Sequence, residues 1–275
     1  MFILFKGENG AGKTVGAASF PDPIILDFDK KGSAVVKKHF PEKTIPYHQF
    51  GDVMQAGDLL ERWDKEGCPF QTIVVDSLTS LSYDCIKTLD TLKGQTILTT
   101  LRDSTQNMRK SGKGYKMPEL RGYDYYNIED SFLKFYIDGL KTMHAVEGKN
   151  PKNVIIIAHV MTSESTDIKT KEVTKTRRIL TAGQKIAAYV PAQFDEVFHF
   201  GVSVPNSLDS ESRVSHLVFT EAIGDDFAKT AYQLPYKIDF TNKSLYDLIR
   251  NEVDPNSSET QKETTSKTAK PRLNF

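Results

Sequence analysis

The sequence predicts an α/β fold: a mostly parallel, doubly wound sheet extended by antiparallel strands. Three observations carry that prediction. Four short apolar runs, at residues 2–5, 23–28, 72–75 and 153–158, are continuous rather than alternating, as strands covered by helices on both faces read. Segments of helical spacing lie between them, and strands that alternate with helices pair in parallel. After Ala158 the runs shorten and Gly, Pro and Ser punctuate them, the pattern of antiparallel strands.

Taken in order, residues 2–5 form the first strand. The apolar start runs straight into Gly7, without the basic start or cleavage site of a signal peptide. Residues 13–20 are small and helix-compatible, and lead to the second strand at 23–28. Over 52–65, Met54, Leu59, Leu60 and Trp63 recur at roughly helical spacing before the third strand at 72–75. Residues 127–146 place Ile128, Phe132, Phe135, Tyr136, Leu140 and Met143 on an amphipathic helix ahead of the fourth strand. The runs at 197–204 and 214–220 supply the antiparallel extension. From Asp254 onward almost nothing is apolar before Leu273, so residues 254–275 read as a disordered tail and 1–253 as one domain.

Composition narrows the function classes. With 39% hydrophobic and 26% charged residues in 275, the chain builds a full core and is neither a disordered nor a collagen-like protein. Thirty-six basic residues balance thirty-six acidic ones, so attraction to nucleic acid or membrane must come from local patches. Cys68 and Cys85 are too few for a disulfide framework, and they point to a reducing, cytoplasmic setting. The apolar run at 154–160 is about a third of a membrane-crossing helix, so no membrane partner is expected.

The sharpest motif is Gly7-Glu8-Asn9-Gly10-Ala11-Gly12-Lys13-Thr14, which fits G-x-x-x-x-G-K-[ST] between a strand and a helix. Its glycines let backbone N–H groups turn inward around phosphates, and the helix start adds a positive end. Lys13 is placed to reach the β- and γ-phosphates of ATP, and the Thr14 hydroxyl to ligate Mg²⁺. The strand Thr72-Ile73-Val74-Val75 ends in Asp76, the carboxylate expected to hold the magnesium with Thr14. Ser77 follows Asp76, so a water-activating base must come from elsewhere. The second strand ends in Asp27-Phe28-Asp29 at the sheet edge where ligands bind. Alternation points both carboxylates to one side. Asp29 is favoured as base over Asp27, with a pair of turn caps as the bland alternative. His159, polar after an aliphatic run, is placed at the same edge as a γ-phosphate sensor or as an ordinary structural histidine.

GENGAGKT, ILDFD, IVVDS and IIIAHV, in that order, resemble RecA-type P-loop ATPases, particularly short phage-encoded RecA-core proteins of single-strand annealing and recombination. The resemblance covers about residues 1–240. It implies a RecA-like P-loop NTPase fold with ATP and Mg²⁺, and the catalytic carboxylate on Asp29. It implies His159 as γ-phosphate sensor and Lys229, in Gly224-Asp225-Asp226-Phe227-Ala228-Lys229-Thr230, as a residue acting on a neighbouring subunit's nucleotide. It also implies a homo-oligomer with ATP between subunits in the phage or host cytoplasm, single-stranded DNA as substrate, and a single-strand-binding protein as a further partner. The sequence departs from RecA in having no N-terminal oligomerisation segment ahead of Phe2, an Asp for the usual Glu at 29, and Ala231 where a second basic residue is expected.

Two basic islands stand against the neutral whole. Arg102, Arg109, Lys110, Lys113, Lys116 and Arg121 meet only Asp103 and Glu119, a balance of +4, with Tyr115 among them. Lys169, Lys171, Lys175, Arg177 and Arg178 against Glu172 give +4 again, on an alternating stretch that reads as a polar hairpin. Cations interleaved with stacking rings are what single-stranded nucleic acid needs, whereas solvated surface is the common alternative. Two other readings keep the nucleotide loop: a switch or assembly ATPase acting on a protein partner, and a nucleotide-binding module that does not hydrolyse.

Overall fold

The structure, a computed structural model, describes residues 1–30, 32–50, 53–92, 122–145, 151–166, 173–181, 184–204, 214–222 and 227–254. Its central strands are β1 (Phe2–Gly7), β2 (Pro23–Asp27), β4 (Thr72–Asp76), β5 (Asn153–Thr166) and β7 (Glu196–Ser203). They are joined by β3 (Tyr47–Gln49), β6 (Val173–Ile179), β8 (Ser215–Phe219) and β9 (Lys237–Asp239). The helices are α1 (Lys13–Ala18), α2 (Gly32–His39), α3 (Val53–Glu66), α4 (Leu78–Leu92), α5 (Gly122–Ala145), α6 (Gln184–Tyr189) and α7 (Leu245–Val253), with a 3₁₀ turn at Val190–Gln193.

The strand order is β3-β2-β4-β5-β1-β7-β8-β9, with β6 paired to the far end of β5. Pairings from β3 through β7 are parallel; β7 with β8, β8 with β9 and β5 with β6 are antiparallel. The fold class expected from the sequence is therefore the one observed. Continuous apolar strands are needed because both faces are covered. Phe2, Leu4, Leu26, Val75 and Ile156 pack under Leu60, Trp63, Leu81 and Leu133 of α3, α4 and α5. The alternate residues Ile3, Phe5, Ile25, Val74 and Ile157 pack under Ala17, Val36, Leu245 and Ile249 of α1, α2 and α7. Each such side chain contributes about 1.5–3 kcal/mol by leaving water.

Three expectations need correction. The second strand ends at Asp27, and Phe28 and Asp29 both donate their N–H groups to the Asp76 carbonyl, at 2.7 and 3.1 Å. Two successive amides cannot serve one acceptor in an extended ladder, so Asp27 and Asp29 do not share a side by alternation. The fourth strand does not end at His159 but runs to Thr166, because beyond the central sheet its backbone pairs with β6. The amphipathic helix before it, expected from 127, begins at Gly122, directly after the first basic island.

Residues 101–121, which hold Arg109, Lys110, Lys113, Tyr115 and Lys116, lie outside the described residues, as do Lys169, Lys171 and residues 255–275. Among the described residues no helix is long and apolar enough to cross a membrane.

Candidate functional site

β1 delivers the chain to the carboxyl edge of the sheet at Gly7, where a side chain is excluded. A Cβ there would press into the Phe200 carbonyl of neighbouring β7. The loop then turns through Gly10 (φ 78°) and Gly12 (φ 90°), left-handed conformations that favour glycine. Gly12 is also crowded, since a Cβ would meet Phe240 at 3.0 Å and His216 Nδ1 at 3.1 Å. Lys13 opens α1, buried, and its ammonium donates to the Gly7 and Glu8 carbonyls at 2.8 and 2.7 Å. Burial pushes its pKa down to about 8, against the pull of Asp76, Asp29 and Glu8.

Thr14 and Asp76 meet, with the Thr14 hydroxyl donating to Asp76 Oδ2 at 2.8 Å. Burial raises the Asp76 pKa to about 6, and the nearby Asp29 and Asp27 charges add to that despite the Thr14 hydrogen bond. A hydroxyl beside a carboxylate is a hard oxygen set suited to Mg²⁺, which takes one or two protein ligands and leaves the rest to water and phosphate. Among the described residues no group of three or more His, Cys, Asp and Glu gathers as an all-protein cage. Both residues fit magnesium, and both line the same cleft as the loop.

Asp29 and His159 come together across the strand ends, with His159 Nε2 3.2 Å from Asp29 Oδ2. Asp29 Oδ1 accepts from the Ser77 hydroxyl at 2.8 Å. Burial alone would raise the Asp29 pKa, but hydrogen bonds from His159, Ser80 and Ser77 overcome it and hold the group at about 2. Asp27 is fully buried and takes the Lys30 N–H at 2.7 Å and the Gln49 amide at 3.1 Å. It closes the turn and does not line the cleft, whereas Asp29 does.

The cleft, about 770 Å³, gathers Gly10, Gly12, Lys13, Thr14, Asp29, Asp76 and His159. Its further walls are Val35, His39 and Phe40 on one side and Val214, His216 and Phe240 through Ser244 on the other. No sequence pattern signals these walls, which arrive from distant segments. Ser77 and Ser80 were legible only as polar residues following Asp76. Lys229 is not part of this cleft. Its backbone pairs with Val197, which lies beside Leu4, about 10 Å down the sheet from Gly7. Glu196 Oε1 holds the same segment through the Ala231 N–H at 3.0 Å. Arg177 and Arg178 are exposed on β6, and Lys175 lies on the same strand.

A family model described as an AAA domain matches residues 1–223. The chain belongs to that family, a class of P-loop nucleotide-binding ATPases. No curated protein matches it.

Proposed function

We propose that the protein is a magnesium-dependent ATPase of the RecA type that acts on single-stranded DNA. The observation that carries the nucleotide reading is the convergence of Lys13, the Thr14–Asp76 pair and the Asp29–His159 pair in one cleft at the strand ends. In this reading Glu8 to Thr14 wrap the polyphosphate with backbone N–H groups and Lys13 leaves the loop carbonyls for the β- and γ-oxygens. Thr14 and Asp76 would hold a magnesium ion, whose charge would offset that of the phosphates. Asp29, ionised by its three donors, orients a water toward the γ-phosphate, and His159 reports that phosphate's presence. Lys229, remote from its own chain's cleft, acts on a neighbouring subunit's nucleotide in a homo-oligomer.

The DNA reading is supported by continuity of structure. β5 carries His159 and runs directly into the hairpin whose second strand bears Lys175, Arg177 and Arg178. A protein partner is the second reading, favoured by the exposed rings of Phe227, Tyr232 and Tyr236 in the segment that carries Lys229.

Magnesium-dependent ATP hydrolysis, measured with and without a single-stranded oligonucleotide at two salt concentrations, tests the proposal. Stimulation that fades with salt is the expected result. Hydrolysis indifferent to DNA removes the DNA half and leaves the protein partner; the absence of nucleotide binding removes the whole.

A further inference from the structure

β5 changes partners at His159. Its last pairing with β4 joins Ile157 to Asp76, and its first with β6 joins Val160 to Ile179. At such a junction the backbone ladder runs out, and buried N–H and C=O groups need other partners. One side chain supplies them. The Thr79 hydroxyl, in the first turn of α4 and 5% exposed, accepts the His159 N–H at 3.0 Å and donates to the Leu180 carbonyl at 2.8 Å. Leu180 N–H closes the triangle by donating to the His159 carbonyl at 2.7 Å.

The neighbouring hydroxyls of that turn reach Asp29 in the cleft wall. Ser77 accepts the Ser80 N–H at 3.3 Å, as a helix N-cap does, while donating to Asp29. Ser80 bonds Asp29 as well. The Ser77-Leu78-Thr79-Ser80 turn therefore grips the cleft carboxylate with two hydroxyls and the root of the hairpin with the third. The His159 side chain touches that same carboxylate. A shift of the His159 backbone, pulled by its imidazole toward or away from a γ-phosphate, therefore moves Thr79 or breaks its bonds.

We propose that Thr79 is a positioning residue whose hydroxyl couples the nucleotide cleft to the β5–β6 hairpin, so that ATP in the cleft sets the hairpin's grip on single-stranded DNA. This rests on the functional reading above. A hydroxyl is required because the position must accept from one backbone and donate to another. Valine matches the shape and does neither, and serine keeps both roles without the methyl.

The test compares the full-length wild type, Thr79→Val and Thr79→Ser by three measurements. These are ATP affinity from displacement of a fluorescent ATP analogue, kcat with and without a poly-dT oligonucleotide, and amide hydrogen exchange along Val173–Ile179 with and without a non-hydrolysable ATP analogue and magnesium. Thr79→Val is expected to bind ATP within about twofold of wild type. It should lose roughly tenfold or more of the DNA-stimulated kcat and the nucleotide-dependent slowing of exchange in the hairpin. Thr79→Ser restores both. Stimulation and slowed exchange that persist in Thr79→Val overturn the coupling while leaving the ATPase reading intact. Equal impairment of Thr79→Ser also overturns it, by making the methyl's packing the cause. A wild type whose hairpin responds to nucleotide through Thr79 but whose turnover ignores DNA upholds the coupling and removes only DNA. A wild type that binds no nucleotide overturns the functional reading, and the coupling falls with it.

Discussion

Asp29 accepts hydrogen bonds from Ser77, Ser80 and His159 and still lines the cleft. A carboxylate has about four lone-pair sites, so one remains for a water. Held at about 2, the group is a weak proton store, so the role proposed for it is to orient a water. Asp29→Asn is expected to keep ATP binding and lower turnover on the order of 10²–10³-fold; single-turnover hydrolysis checks it, and normal turnover removes Asp29 from that place. Lys13 gives the pH dependence. Its pKa lies at about 8, below the ordinary lysine value. Above about pH 8 the ligand-free protein therefore loses the ammonium that phosphate binding must then reclaim. ATP affinity should fall as pH rises through about 8 to 9, and calorimetric affinities that stay flat over that window refute it. Folding has the opposite sign, stability rising with pH where affinity falls. Burying the charge costs stability in full below about pH 8, and the cost is relieved as pH climbs toward the ordinary lysine value. Lys13→Ala should abolish measurable ATP binding, read by the same calorimetry.

At the scale of elements, the site depends on β1 and β7 lying close enough that only glycine fits at their last pairing. Gly7→Ala is expected to cost about 1–3 kcal/mol by overpacking against a backbone that has no freedom to yield; chemical denaturation measures it, and an unchanged midpoint contradicts the tight register. The long apolar strands and α3 were legible because their periods are strong. α4 was not, although Leu78, Leu81, Ser82 and Cys85 make an i, i+3, i+4, i+7 stripe that is wholly buried. Serine and cysteine on half of that stripe erase its hydrophobic signal. β3 and β9, three residues each, are too short to show a period at all.

For the molecule as a whole, strand order decides what meets what. β5 sits between the strand of the phosphate loop and the strand of Asp76, which brings His159 level with Gly7 and leaves its side chain against Asp29. If the hairpin binds DNA, Lys175→Ala, Arg177→Ala and Arg178→Ala together should reduce the salt slope of single-stranded DNA binding by about 2, at ~0.7 per phosphate contact. An unchanged slope returns β6 to plain surface.

The sequence by itself determined the α/β class, the phosphate loop, and the carboxylates and histidine placed at the sheet's carboxyl edge. Each of these is written locally, in a continuous apolar run, a glycine spacing or a polar residue that ends a strand. Only the tertiary structure decided that Asp29 and not Asp27 faces the cleft, since that turns on two amides sharing the Asp76 carbonyl. It alone placed Lys229 away from the cleft of its own chain and set His216 and Phe240 against Gly12. It alone made Thr79 the joint between β4's helix and the hairpin. These facts depend on contacts between residues dozens to hundreds apart, and a backbone hydrogen bond leaves no mark on the residue type that makes it.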